Sequence, residues 1–128
     1  MGEIIHLSCE KCDFKKQLRI GAGMLSIRAS VVEENLLDED LQDWKRLQEQ
    51  DKIGFFSWQY DLAYCDSCHD FQSIFDVNIK TKEDEQIRLG GRCDTCHKQL
   101  QPLPKGVAIT CPRCGNTDVR KIRVGMWD

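Results

Sequence analysis

Residues 93–115 read Cys-Asp-Thr-Cys-His-Lys-Gln-Leu-Gln-Pro-Leu-Pro-Lys-Gly-Val-Ala-Ile-Thr-Cys-Pro-Arg-Cys-Gly. Two Cys-x-x-Cys pairs, Cys93/Cys96 and Cys111/Cys114, enclose a loop of fourteen residues, just short of the usual span for a zinc site built from four cysteines. Two cysteines separated by two residues wrap one ion, and two such knuckles complete a tetrahedral shell with sulfur at about 2.3 Å from the metal. Pro112 presets φ for the turn, and Gly115 is free to take positive φ just after the last sulfur.

Outward from this stretch the chain repeats the device. Cys9/Cys12 and Cys65/Cys68 have the same spacing, so all eight cysteines of the 128 residues fall into four pairs with none left over. Without a recognisable export signal, thiolates holding metal are the better reading than a disulfide framework. Sequential pairing is expected: Cys9 and Cys12 with Cys65 and Cys68, then Cys93 and Cys96 with Cys111 and Cys114. Crossed or nested pairings remain open. Asp13, His69 and His97 stand where Gly115 stands in the fourth knuckle, and Asp and His are among the residues that tolerate positive φ.

The pattern resembles zinc ribbons of the rubredoxin-like kind. Cys93 to Cys114 matches best, and Cys9 to Cys68 looks like an expanded version. The resemblance implies a small, metal-bound, mainly β fold (α+β), two zinc-ribbon modules with a helical insertion in the first, and one structural Zn2+ per module, with iron the less favoured metal. It implies no single task, since ribbons serve transcription factors, ribosomal proteins, enzymes and adaptors alike. The modules are expected at residues 1–80 and 87–128, joined by the acidic stretch 81–86.

Alternating apolar residues flank the knuckles, the mark of half-buried strands. Phe14, Leu18 and Ile20 follow the first pair; Phe56, Trp58, Tyr60, Leu62 and Tyr64 precede the second; Phe71, Phe75, Val77 and Ile79 follow it. Each knuckle is therefore expected at the tip of a hairpin. Leu37, Leu41, Trp44 and Leu47 recur at helical spacing and predict a helix over 38–51, with Asp38, Glu39 and Asp40 at its dipole-friendly start and Gly54 as its stop. Those acids are expected to be solvated. The stretch 22–36 is ambiguous between strand and helix. The four aromatics Phe56, Trp58, Tyr60 and Tyr64 are expected to form a core with Trp44 under the helix.

Charge divides the chain into +2 over residues 1–30, −9 over 31–90 and +4 over 91–128. Each tetrathiolate zinc would add about −2, so two sites carry the formal −3 toward about −7. No apolar run approaches the length of a membrane span, and His6 stands where a myristoylation motif wants Ser or Thr. A cytoplasmic protein with no membrane role follows as the expectation.

Competing chemistries are weaker. Cys65-Asp-Ser-Cys-His69 and Cys93-Asp-Thr-Cys-His97 spell the c-type haem attachment signature, but the other two pairs would then have no task. Gly21-Ala-Gly-Met-Leu-Ser26 half-resembles a dinucleotide loop but lacks the strand–loop–helix context and reads as a turn. His6 reads as an ordinary strand residue. No nucleophile–base–acid set and no small-molecule substrate are evident, so an enzyme is not expected. A non-catalytic adaptor contacting an unidentified protein is the leading reading, with the helix at 38–51 as one surface. A nucleic-acid-binding accessory using Arg113, Arg120, Lys121 and Arg123 is the second, and a redox-responsive zinc switch the third. Trp127 either folds back on the last ribbon or anchors a partner.

Overall fold

The computed structural model describes residues 2–22, 28–104, 106, 108–117 and 119–127. Six strands and two helices follow in the order β1 Gly2–Ser8, β2 Lys15–Ile20, α1 Ala29–Asn35, α2 Asp38–Glu49, β3 Ile53–Cys65, β4 Asp70–Thr81, β5 Gln86–Gly90 and β6 Arg120–Trp127. The strands make two antiparallel sheets, ordered β2-β1-β6 and β3-β4-β5. The fold is thus mainly β with two short helices, and the helices enter between the first and second knuckles, where an insertion was expected. Among the described residues, no helix is long and apolar enough to cross a membrane.

The long β3–β4 hairpin is the centre of the molecule because both of its faces are covered over part of its length. Toward α1 and α2 it presents Trp58, Val77 and Ile79, which pack with Val32, Leu36, Trp44 and Leu89. Phe56 and Tyr60 lie at the edge of that cluster, as expected, but Tyr64 packs instead with Ile5, Leu7, Phe14, Leu62 and Phe71 under the first sheet. The opposite face of the hairpin buries Ala63, Gln72, Ile74 and Asp76. Alternation of Phe71, Phe75, Val77 and Ile79 identified only one of these two faces.

The helix expected over 38–51 is α2. It ends earlier, with Asp51 in the left-handed region (φ 53°) and the Lys52 N–H returning to the Leu47 carbonyl at 3.0 Å. Gly54 is not its stop; it lies in β3, where the register against β4 shifts. The ambiguous 22–36 stretch contains α1. Seven residues with two adjacent valines are a poor helix alone, so burial of Val32 and Leu36 against Trp44 and Trp58 decides the outcome. The turn expected at 21–26 lies, beyond Ala22, outside the described residues.

Residues 81–86 are not an open linker but the β4–β5 turn. The Thr81 N–H donates to the Glu85 carbonyl at 2.8 Å, the Glu85 N–H donates to Thr81 Oγ1 at 3.0 Å, and Asp84 takes φ 65°. Trp127 folds back: its Nε1 donates to the Ile20 carbonyl at 3.0 Å and its ring stacks on Trp58 at 6.2 Å between centroids. Gly2 makes room for this, because a Cβ there would lie 2.1 Å from the Trp127 ring.

Candidate metal centres

All four knuckles share one backbone construction. The first cysteine N–H reaches the carbonyl five residues on in Cys9→Phe14 (3.0 Å), Cys93→Lys98 (2.9 Å) and Cys111→Asn116 (2.7 Å), and Cys65 is registered against Asp70 at the same spacing. In three of them the residue after the second cysteine takes positive φ: His69 at 51°, His97 at 63° and Gly115 at 76°. The two histidines are therefore turn residues beside the sulfurs. Asp13 does not adopt positive φ, so the first knuckle closes without it.

The knuckles meet in nested order. Cys9, Cys12, Cys111 and Cys114 form one group and Cys65, Cys68, Cys93 and Cys96 the other, with all sulfurs in a group within 4.8 Å of one another. This corrects the sequential pairing, and strand pairing supplies the reason. β6 lies antiparallel to β1, with Ser8 opposite Arg120, so the fourth knuckle arrives beside the first. β5 runs back along β4 and ends at Gly90, three residues before Cys93, so the third knuckle arrives beside the second. We call these the outer and inner groups.

Between knuckles the sulfurs are 3.6 Å (Cys9–Cys114), 3.5 Å (Cys12–Cys111), 3.6 Å (Cys65–Cys96) and 3.6 Å (Cys68–Cys93) apart. A tetrahedron with metal–sulfur bonds of about 2.3 Å has edges of about 3.8 Å, whereas a disulfide is about 2.05 Å. All eight cysteines are free. The two groups also repeat the same burial: the first cysteine of each knuckle is buried, Cys12 and Cys68 are half-buried, and Cys96 and Cys114 are exposed.

Each group has an amide side chain aimed at a buried sulfur. Gln72 Nε2 donates to Cys93 Sγ at 3.0 Å, while its Oε1 accepts the Asp94 N–H at 3.3 Å; Asn116 Nδ2 lies 3.6 Å from Cys9 Sγ. Such donors stabilise a thiolate. Burial raises the Cys9 thiol, but Asn116, the Lys11 backbone and the neighbouring thiols outweigh it and hold Cys9 at about 6. Burial likewise raises Cys93, and the backbone N–H groups of Cys96 and Thr95 together with Gln72 bring it down to about 6. Cys68 is pushed up to about 12, chiefly by its contact with Cys93 and by burial. Four crowded sulfurs cannot all ionise at neutral pH by themselves; a divalent cation at their centre removes that conflict. The donor set fits zinc, and a four-thiolate shell also accepts iron.

Around the inner group, α2 is tied to the third knuckle. Arg92 Nε donates to Asp40 Oδ2 at 2.7 Å, Arg92 NH1 donates to the His97 carbonyl at 3.0 Å, and His97 Nδ1 lies 3.0 Å from Glu39 Oε1. Asp40 is only 3% exposed. The expected solvated acidic face is thus half wrong: Asp40 is a buried ion-pair partner, and the helix start is a clasp. The sequence carried no signal for this beyond the presence of Arg92 next to Cys93.

The four basic candidates do not converge. Arg120 pairs with Glu10 at 2.9 Å, Arg123 with Glu3 at 3.5 Å, and Arg113 lies 6.0 Å from the centre of the Phe14 ring. Lys121 and Arg123 share a strand face opposite Leu7 and Ile5, as expected, while Arg120 lies on the other face opposite Ser8. Lys121 also borders an apolar groove of about 660 Å3 with Tyr64, Phe71, Ile109 and Val119. His6 is a β1 strand residue opposite Gln17 and Ile122.

The chain is thus a mainly β protein with two four-cysteine groups that could each hold a metal ion, consistent with zinc-ribbon-like sites. No protein-family model, curated protein or solved structure matches it.

Proposed function

We propose that the chain is a non-catalytic zinc-binding adaptor that acts by protein–protein contact in a reducing compartment such as the cytoplasm. The sorting of eight free thiols into two groups with the edge lengths of a metal–thiolate tetrahedron supports this reading most directly. When bound, zinc would cross-link two knuckles in each group. Four thiolates would fill its shell and leave no position for water or substrate, which is the arrangement of a structural site. Cys9, Cys12, Cys111 and Cys114 would hold one ion, and Cys65, Cys68, Cys93 and Cys96 the other. The nested arrangement would tie residues near the two ends of the chain to each other and, separately, the two central knuckles to each other.

Elemental analysis of the purified chain tests the metal: two zinc and no iron per chain are expected. Affinity capture with zinc-loaded and chelated chains tests the role. Retention of a stoichiometric protein partner by the loaded chain alone supports an adaptor. Retention of RNA or DNA alone, lost steeply as salt rises, would replace it with the nucleic-acid reading.

A further inference from the structure

We propose that the free edge of β6 receives an extended acidic segment of the partner protein, rich in β-branched residues, as a fourth strand of the first sheet. This rests on the adaptor reading and names its surface.

β6 is an edge strand of the first sheet. The edge of β2 meets β3 where Gly21 and Tyr60 exchange backbone hydrogen bonds of 2.7 and 2.9 Å. β3 is covered further along by the bridge from Ala63 to Pro102 and the Leu103 N–H donating to the Leu62 carbonyl at 2.8 Å. β5 is packed by α2. β6 ends its sheet; the Val119 N–H just before it donates to the Ile109 carbonyl at 3.3 Å, and no described backbone pairs with the outer side of residues 120–127. An open edge presents a row of unpaired N–H and C=O groups, which a partner strand can satisfy.

The side chains on this edge state what the strand should be. Ile122 is 47% exposed, Val124 55% and Met126 52%, an unusual run of solvated aliphatics. Lys121 and Arg123 alternate with them, and no acid lies within β6. Lys121 has no carboxylate partner among the described residues. Directly opposed residues on neighbouring antiparallel strands share a face. An incoming strand would therefore set an acid against Lys121, the cation of this face without a carboxylate partner among the described residues (Arg123 already meets Glu3 at 3.5 Å), and a branched aliphatic against Ile122. A second copy of β6 would instead bring cations against cations. A single-stranded nucleic acid would want stacking aromatics, yet residues 120–126 include none, and the Trp127 ring is already occupied by Trp58.

The test uses the zinc-loaded full chain and a short peptide alternating Glu and Val, followed by amide hydrogen exchange. The expected result is new protection confined to residues 120–126. Binding should weaken at least about tenfold for a Lys–Val peptide and for Lys121→Glu, with Lys121→Arg restoring it. Two bound zinc ions and unchanged Trp127 fluorescence establish that each variant is folded. Absence of protection at millimolar peptide, equal binding of the Lys–Val peptide, protection by an RNA oligomer in its place, or self-association through β6 would each overturn the proposal. A captured protein partner that binds Lys121→Glu unchanged would overturn this edge and leave the adaptor standing; a chain that captures no protein loses both.

Discussion

Arg92→Ala should destabilise the protein far more than its surface position implies. Its guanidinium is the partner of Asp40, whose side chain is 5% exposed, at 2.7 Å. Removing Arg92 strands a buried carboxylate, a loss of about 3–5 kcal/mol. Asp40→Ala strands a guanidinium that is 27% exposed and can still reach water, so about 1–2 kcal/mol is expected. The double variant leaves nothing stranded, and the cycle should return a coupling of about 2 kcal/mol. Urea unfolding of the zinc-loaded proteins at constant m-value measures all four corners. Because Arg92 adjoins Cys93 and also binds the His97 carbonyl, its removal should speed metal release from the inner group and not from the outer. Additive single losses, or equal release from both groups, would refute a clasp between α2 and the third knuckle.

Two further outcomes follow from the geometry. Cys9 and Cys93 sit at about 6, below the ordinary thiol value of 9.0, so their thiolates favour the fold at high pH. That contribution is full above 9.0 and is lost as pH falls through about 6; protons also compete with zinc for the thiolates, so zinc occupancy followed by a chromogenic chelator should fall on acidification, and full occupancy at about pH 4 would contradict it. Gly2→Val places a Cβ 2.1 Å from the Trp127 ring and should cost about 1–3 kcal/mol by thermal unfolding. Loss of the Trp127–Trp58 stack should appear as changed indole emission, and an unchanged spectrum with unchanged stability would contradict that packing.

What could be read from the sequence was local. Cys-x-x-Cys spacing, the period-two runs around Leu62 and Val77, and the period-3.6 run through Leu41 and Trp44 all depend on neighbours within a few residues. These signals located the knuckles, the central hairpin and α2. The pairing of knuckles depends instead on β1 meeting β6 from the far end of the chain, and alternation says that a strand exists without saying which strand it joins. One clue was present: Ile87 and Leu89 alternate just beyond the turn at 81–86, as a third strand beside β4 requires. α1 was unreadable because its valines favour strands and only tertiary burial makes it helical. The Asp40–Arg92 pair was invisible because nothing local marks which surface acid will be buried.

Nested pairing is tested most directly by alkylating a zinc-loaded chain carrying Cys9→Ser and Cys12→Ser and mapping the labelled thiols by mass spectrometry. Cys111 and Cys114 should become reactive while Cys65, Cys68, Cys93 and Cys96 stay protected with one zinc retained. Reactivity at Cys65 and Cys68, with Cys111 and Cys114 still protected, would contradict it.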